Sequence, residues 1–265
     1  TTAQGATLAE WAFREKGWRN AYVVLNSMHW TDSLRLQGND TVLIDRAGGI
    51  NYYKSLCTNF RIRWAELGGK IIGDDAYNSV GIYSDINSFE SQVTRMKAHA
   101  GADFAFLCTA GPITYPTAGI SVSTFVFGGG LIVTSAVPTT SNAGFVFDGP
   151  VLIDMARKAG VMMPLLASES LDGDYWLPIV PGLNDFYVGV YGSMNGDDPN
   201  PRINDYVKRF TKLHGVAPIT SHSIIGYSQV EAWAIAVERA GTLDADAVRR
   251  ELDKFDNEVL LIGPT

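Results

Sequence analysis

Three carboxylates lie close together in one polar loop of this sequence. Glu169, Asp172 and Asp174 follow an apolar run at residues 163–167, which is typical of a buried strand. Two carboxyl groups held in one site can act as acid and base, so the loop is a candidate for proton transfer. Closeness in sequence does not establish that geometry. Solvated loop acids, or caps of a following helix at residues 175–176, explain the same side chains.

Other catalytic signals are weak. The sequence has no G-x-S-x-G, H-E-x-x-H or G-x-x-x-x-G-K-[ST] motif, and no G-x-G-x-x-G after a strand. The FGGG run at residues 127–130 has no helix behind it and makes a poor phosphate cradle. His29 beside Trp30 could pair acid–base chemistry with stacking, but a lone loop histidine is more often a surface residue. We therefore expect no catalytic residues, and an α/β enzyme is the least favoured function.

The two cysteines, Cys57 and Cys108, both fall in apolar surroundings. Cys57 lies on the apolar face of a predicted helix, and Cys108 ends an apolar strand run. Free cysteines are among the most buried residues, so the sequence favours two buried free thiols over a disulfide. No Cys-x-x-Cys pair and no Cys/His set with metal-ligand spacing is present, so we expect no metal and no cofactor.

Composition and charge exclude several classes of partner. The 265 residues are 46% hydrophobic and 18% charged, which is ordinary for a globular chain with a core. The formal net charge of -7 provides no basic field, so we expect no nucleic-acid binding. The longest apolar region, at residues 122–137, is broken by glycines and hydroxyls, so we expect no membrane insertion. Since no signal peptide is recognisable before Thr1, we expect either a cytoplasmic chain or the processed part of an exported protein.

The order of apolar segments predicts an α/β fold. Runs at residues 21–26 and 70–75 are typical of buried parallel strands, and a helix at residues 52–67 lies between them, closed by a pair of glycines. This βαβ unit places ligands beyond the carboxyl ends of the strands. Further strands and helices alternate to about residue 190, which predicts a three-layer α/β/α architecture with a mainly parallel sheet. Residues 111–149 are β-rich and predict a hairpin or a small antiparallel annex.

Several of these segments together resemble a known family. ADFAFLCTAGP (residues 102–112), ARKAGVMMPLLASESLDG (156–173) and GYSQVEAWAIAVERAGTLDADAVRREL (226–252) are similar to the branched-chain amino-acid type of periplasmic solute-binding protein. These proteins have the type I binding fold and serve ABC importers. The segment YYKSLCTNFRIRWAELGGKIIGDD (52–75) resembles the family's Tyr-led helix and the strand that follows it. The resemblance spans nearly the whole chain except residues 27–49 and 112–149.

The resemblance implies a particular domain organisation. QGATLAEWAFREKG (residues 4–17) is similar to the helix that opens the second lobe of these proteins, so the first lobe has no counterpart here. Residues 1–190 are expected to form the second ligand-binding lobe, with insertions at about 27–49 and 112–149. Residues 191–265 are expected to form a hinge connector and helices that resemble part of the first lobe.

The resemblance also implies ligand-binding residues. The Tyr that begins the family's helix and lies over the ligand corresponds to Tyr52, with Tyr53 next to it. The acid that receives the ligand's ammonium group corresponds to Glu169, beside Ser170, with Asp172 as the adjacent candidate. Tyr227, at the start of the late helix, is a further candidate. A helix-start or core aromatic explains the tyrosines equally well, and a solvated loop acid explains Glu169.

The implied function is that of an extracytoplasmic solute-binding component of an ABC transporter, located in the periplasm or outside the cell. It would bind branched-chain or related amino acids in an interlobe cleft and interact with an ABC permease. The alternative is an amino-acid or amide sensor that uses the same fold to regulate a partner. Neighbouring permease and ATPase genes would favour transport, and a neighbouring regulator or kinase gene would favour sensing.

Overall fold

Short helices and strands alternate along the first 190 residues of the computed structural model. It describes residues 2–26, 34–35, 41–42, 47–77, 89–109, 121–123, 135–137 and 148–264. The helices are α1 (Thr2–Arg14), α2 (Ala47–Glu66), α3 (Phe89–Ala98), α4 (Asp148–Lys158), α5 (Pro201–His214), α6 (His222–Ala240) and α7 (Ala245–Leu252). The strands are β1 (Asn20–Asn26), β2 (Leu34–Arg35), β3 (Thr41–Val42), β4 (Lys70–Tyr77), β5 (Phe104–Cys108), β6 (Ser121–Ser123), β7 (Ser135–Val137), β8 (Leu165–Ala167), β9 (Phe186–Val188), β10 (Val259–Leu260) and β11 (Gly263–Pro264).

Five of these strands form one sheet in the order β4-β1-β5-β8-β9, and every neighbouring pair is parallel. Strand β1 lies between β4 and β5, and its residue Ala21 pairs with Ile71 of β4 on one side and with Phe104 of β5 on the other. All residues of β5 are buried, as expected for a strand covered on both faces. In β4, at the edge, exposed and buried residues alternate instead.

Helices cover both faces of the sheet. Alternate residues of a strand point to opposite faces. Ala21 and Val23 therefore join a cluster with α1 and α2, whereas Tyr22 and Val24 join a cluster with α3 and α4. Aromatic stacking strengthens the first cluster, where the rings of Phe60 and Phe106 lie 3.9 Å apart. These two cores confirm the predicted three-layer α/β/α architecture with a parallel sheet.

The chain divides into two compact units. Unit 1 comprises Thr1–Leu171 and Trp176–Gly189, and unit 2 comprises Asp172–Tyr175 and Val190–Thr265. Unit 1 contains the five-stranded sheet. In unit 2, α5 and α6 enclose a small core with Ile203, Tyr206 and Ile224. The only strands in the described residues of unit 2 are β10 and β11, which form a short antiparallel hairpin. The apolar run near the end of the sequence, at residues 258–263, supplies most of this hairpin.

The expectation of two free thiols is wrong, because Cys57 and Cys108 form a disulfide. Cys57 lies on the face of α2 that packs on the sheet, and Cys108 is the last residue of β5. This packing brings the two Cα atoms to 5.8 Å, within the range that a disulfide requires. The residues are 51 positions apart. The sequence identifies each as buried but does not reveal that one faces the other.

The structure corrects the predicted start of α2 and confirms the predicted antiparallel pairing within residues 111–149. Helix α2 begins at Ala47 and not at the predicted residue 52, so Tyr52 lies within the helix. Strands β6 and β7 pair antiparallel, as predicted for an annex. The short strands β2 and β3 also pair antiparallel. The FGGG run at residues 127–130 and the rest of the two predicted insertions fall largely outside the described residues.

Candidate functional site

Polar residues gather in unit 1 where the parallel strands end. Thr109 directly follows β5, and Ser168 and Glu169 directly follow β8. Because parallel strands end at the same edge of a sheet, these residues share the edge where α/β proteins bind ligands. Thr109 and Ser168 have no exposed surface, and Glu169 is only 5% exposed. Buried polar groups require hydrogen-bond partners, which makes this edge a candidate site.

The Glu169 carboxylate receives hydrogen bonds from two helices. The Tyr52 hydroxyl, from α2, donates to Glu169 Oε1 at 2.5 Å. The Gln4 side-chain amide, from α1, donates to Glu169 Oε2. The predicted residues Tyr52 and Glu169 are therefore in direct contact, although 117 positions separate them in the sequence. Charge-assisted bonds of this kind are stronger than neutral ones and fix the direction of the carboxylate.

A network of hydroxyl groups continues from this carboxylate. The Tyr52 hydroxyl lies 3.2 Å from Ser168 Oγ, and the Ser168 and Ser170 hydroxyls lie 3.0 Å apart. Ser170 Oγ donates to the backbone carbonyl of Thr109 at 2.8 Å, which links the ends of β5 and β8. Within the part of the chain that the structure describes, the buried Thr109 hydroxyl has no hydrogen-bond partner.

Tyr53 contacts the same cluster through its ring. The Tyr52 and Tyr53 rings meet edge to face, with centroids 5.1 Å apart. Both rings are half-buried. The pair therefore presents an aromatic surface beside the Glu169 carboxylate, and such surfaces suit the apolar part of a small ligand.

The disulfide borders this cluster. Cys57 lies in α2, five positions after Tyr52, and Cys108 directly precedes Thr109. The covalent bond therefore joins the helix that carries Tyr52 to the strand whose end carries Thr109. It restrains two of the elements from which the cluster is built.

Asp172 belongs to unit 2 and has different partners from Glu169. Its carboxylate accepts hydrogen bonds from the backbone N–H and the hydroxyl of Ser221, both at 2.6 Å. The Ser221 hydroxyl in turn accepts a bond from the backbone N–H of Tyr191 at 3.1 Å. Asp172 thus anchors the residue that precedes α6. It does not cap a helix at residues 175–176, because the 3-10 turn that follows Trp176 has no side-chain cap.

Tyr227 also belongs to unit 2. Its ring packs edge to face on Tyr206, with centroids 5.2 Å apart, and the Arg209 guanidinium lies 5.8 Å from its centroid. It borders an open surface cavity of about 270 Å³, lined by Pro201, Arg202, Asp205, Arg209, Tyr227 and Leu261. The cation–π contact with Arg209 and the packing on Tyr206 give Tyr227 a structural role within unit 2.

A second polar group in unit 1 joins β1, β4 and α3. Arg95 donates two hydrogen bonds to the Asp75 carboxylate, at 2.7 and 2.9 Å, and the Tyr22 hydroxyl donates a third at 3.1 Å. Burial, followed by the adjacent Asp75 charge, raises the pKa of the Tyr22 hydroxyl. Because these hydrogen bonds tie α3 to two strands of the sheet, this group has a structural role.

The described ranges contain neither a metal-ligand cluster nor a membrane-spanning helix. Within them, no group of three or more His, Cys, Asp or Glu side chains is arranged to hold a metal ion. None of the helices in the same ranges has the length and apolar character needed to cross a bilayer. His29 and Trp30 lie outside the described residues.

Gln4, Ser168 and Thr109 are not among the residues that the sequence predicts for the site. Ser168 and Thr109 could have been found from their positions directly after buried strands. Gln4 carries no such signal, because it lies in the first turns of a helix and reaches the cluster only through the packing of α1 on α2.

The family to which this chain belongs follows from a match of a family model over the whole sequence. The family model described as periplasmic binding protein matches residues 1–265. The chain belongs to the periplasmic binding protein family. Among curated proteins, none matches the sequence.

Solved structures of this family share the fold at low sequence identity. A leucine-binding protein from Thermotoga maritima is 17% identical, with a TM-score of 0.61 over 99% of this chain. A branched-chain amino-acid transporter binding protein from Streptococcus pneumoniae, in complex with isoleucine, is 13% identical, with a TM-score of 0.62 over 99%. A solute-binding protein from R. palustris, in complex with benzoate, is 13% identical, with a TM-score of 0.59 over 99%.

This chain is shorter than each of the three similar structures. This periplasmic binding protein chain aligns almost completely, but it spans only 57%, 56% and 55% of the length of the three structures, respectively. A large part of each of those chains thus has no counterpart in the 265 residues.

Proposed function

We propose that this chain is the ligand-binding part of an extracytoplasmic solute-binding component of an ABC transporter, with branched-chain or related amino acids as its ligands. The observation that carries the proposal is the buried Glu169 carboxylate, held by Tyr52 at the carboxyl edge of the sheet. The family membership of the whole chain supports the same function.

The chemistry of the cluster suits an α-ammonium group. Tyr52 and Gln4 donate to the two oxygens of the Glu169 carboxylate and orient it. A carboxylate accepts from a ligand ammonium group in a charge-assisted hydrogen bond. The Tyr52 and Tyr53 rings offer apolar area to the ligand side chain, and the Ser168 and Ser170 hydroxyls offer further polar contacts.

The proposed binding mode uses two lobes. Residues 1–190 form the second ligand-binding lobe in this proposal, and residues 191–265 form a hinge connector and helices of the other lobe. The incomplete coverage of the similar structures supports a longer two-lobe protein. Closure of the cleft would then follow from ligand contacts to both lobes, because such contacts stabilise only the closed state.

The proposed location is the periplasm or the cell exterior, and the proposed partner is an ABC permease. The Cys57–Cys108 disulfide supports this location, because disulfides persist in oxidising compartments and are rare in the cytosol. No observation among the described residues supports an enzymatic role.

Calorimetry on a two-lobe form tests the proposal, with L-leucine, L-isoleucine and benzoate as the probes. We expect the amino acids to bind, and Glu169→Ala to weaken that binding by at least about tenfold, since hydrogen bonds to charged groups contribute about 1.5–3 kcal/mol. Glu15→Ala, an exposed acid after α1, is the matched control and should bind like the wild type. Unchanged affinity in Glu169→Ala would refute the role of Glu169.

A further inference from the structure

We propose that Asn195 is a site of spontaneous deamidation, and that this modification weakens the loop that caps α5. Asn195 and Gly196 form the only Asn-Gly pair in the 265 residues. They lie in unit 2, in the segment that leads from β9 to α5, and both residues are exposed. The proposal concerns residues outside the candidate site of unit 1 and does not depend on the proposed function.

The backbone nitrogen of Gly196 is the nucleophile of this reaction. Gly196 has a φ of +82°, in the left-handed region that favours glycine. A Cβ atom at Gly196 would meet no atom beyond its chain neighbours within 4 Å, so this part of the backbone is uncrowded. Because the residue is exposed, hydroxide from the solvent can remove the proton of the nitrogen. The nitrogen can then approach the side chain of the preceding residue.

The side-chain amide of Asn195 is the electrophile. It makes no hydrogen bond to any residue in the described part of the chain, although the Asn195 backbone N–H donates to Ser193 Oγ at 3.2 Å. Asn200, in the same loop, provides a contrast. Its side chain accepts a hydrogen bond from the Arg202 N–H, and the residue after it is Pro201, whose nitrogen carries no proton. Asn195 therefore meets the requirements for ring closure that Asn200 lacks.

Deamidation at Asn195 proceeds in two steps that require only water. The Gly196 nitrogen loses its proton to hydroxide and bonds to Cγ of Asn195, which closes a succinimide ring. The Cγ–Nδ2 bond breaks, and Nδ2 takes a proton from water and leaves as ammonia. Water then opens the ring. Cleavage of the new N–Cγ bond gives aspartate, whereas cleavage between that nitrogen and the main-chain carbonyl carbon gives isoaspartate, whose main chain runs through Cβ and Cγ.

The loop around Asn195 supports the start of α5. The Asp198 carboxylate accepts hydrogen bonds from the backbone N–H groups of Ser193 and Asn200, both at 2.7 Å. Asn200 is the N-cap of α5, and its side chain accepts from the Arg202 N–H at 3.0 Å. Isoaspartate at residue 195 adds one methylene to the main chain between Ser193 and Asp198. It should therefore disturb these hydrogen bonds and weaken the cap, which contributes to helix stability.

Peptide mapping by mass spectrometry tests the reaction, after incubation of the 265-residue chain in mildly alkaline buffer. We expect a mass increase of about 1 Da at residue 195, with isoaspartate among the products. The rate should rise with pH, because the attacking nitrogen must lose its proton. Asn195→Gln is the matched control and should stay unmodified, since it keeps the amide but requires a larger ring. No change at residue 195, or an equal change at Asn200, would overturn the proposal.

Thermal unfolding of the incubated protein tests the effect on the loop. Conversion of residue 195 to isoaspartate should lower the melting temperature by about 2 °C relative to fresh protein. Hydrogen exchange should become faster at residues 193–202. Asn195→Asp gains the charge without the extra methylene and should melt close to fresh wild type. A fully converted protein that melts like the fresh one, or an equal loss in Asn195→Asp, would refute the weakening of the loop by isoaspartate.

Discussion

Unit 1 and unit 2 bury their apolar side chains to different extents. In unit 1, the sheet separates two cores, and large side chains such as Phe60, Trp64 and Phe104 are completely buried. In unit 2, α6 places Val230 and Trp233 at the surface, with exposed fractions of 64% and 50%. Helical spacing puts these residues on one face together with Tyr227. Unit 1 is therefore a complete three-layer structure, whereas one face of α6 remains uncovered.

The two units differ in how completely their helices are packed within this chain. A helix that is apolar on several faces is usually buried on several faces. Helix α6 packs one side on α5 through Ile224 and presents apolar residues on another side as well. The similar structures extend well beyond the length of this chain. We therefore expect the candidate site of unit 1 to be structurally self-supporting, and the open face of α6 to gain stability from further packing.

Loss of the disulfide in unit 1 should produce the largest change in the free energy of unfolding. Replacement of both Cys57 and Cys108 by alanine removes a crosslink that spans 51 positions, which should lower the free energy of unfolding by about 4 kcal/mol. Urea denaturation followed by circular dichroism measures this change. The wild type treated with a reductant is the control and should approach the double variant. An unchanged denaturation midpoint would contradict the role of the disulfide in stabilising unit 1.

Two glycine-to-alanine substitutions, one in α1 and one in α6, should have opposite effects on stability. Gly5→Ala introduces a methyl group against the backbone of α2 and should destabilise the chain by about 1–3 kcal/mol. Gly226→Ala, in α6, meets no atom within 4 Å. It should stabilise the chain by about 0.5–1 kcal/mol, because alanine favours helix more than glycine does. Thermal unfolding of both variants checks the signs, and a stabilising Gly5→Ala would disprove the close packing of α1 on α2.

The open face of α6 should tolerate substitution. Trp233→Gln should change the free energy of unfolding of the 265-residue chain by less than about 0.5 kcal/mol, as is usual for surface positions. Ile224→Ala, in the core of unit 2, is the contrasting variant and should cost about 2–5 kcal/mol. In a two-lobe form, we expect Trp233→Gln to become clearly destabilising. A large cost in the 265-residue chain would mean that this face already supports the fold.

The smallest expected change in the free energy of unfolding occurs at alkaline pH and involves Tyr22. Burial and Asp75 raise the pKa of Tyr22, so the unfolded chain loses its tyrosine proton first, above about pH 10. The free energy of unfolding should therefore decrease as the pH rises through that range. Tyr22→Phe lacks this proton and should show a shallower decrease in urea titrations at several pH values. An identical slope in the two proteins would exclude Tyr22 as the cause.

The sequence predicts the fold of unit 1 well because local signals and packing agree there. Apolar runs such as residues 21–26 and 104–108 are typical of buried strands, and glycines close the helices between them. The family resemblance names Tyr52 and Glu169 as ligand-binding candidates but does not predict their contact with each other, since residues this distant have no local signal. Gln4 and the disulfide escaped prediction for the same reason: each depends on which faces of α1, α2 and β5 meet, and a single sequence does not encode that pairing in any local pattern.

Hydrogen exchange in the presence of L-leucine tests the central claim that the carboxyl edge of unit 1 binds an amino acid. At millimolar leucine, sufficient to populate a weak complex, we expect slower exchange at residues 52–57 of α2 and at residues 167–171, which include Glu169. Exchange within α6 of the 265-residue chain should stay unchanged, because the described hydrogen bonds to Glu169 come from α1 and α2 of unit 1. Protection confined to unit 2, or none at the carboxyl edge of unit 1 in either the 265-residue chain or a two-lobe form, would contradict the account.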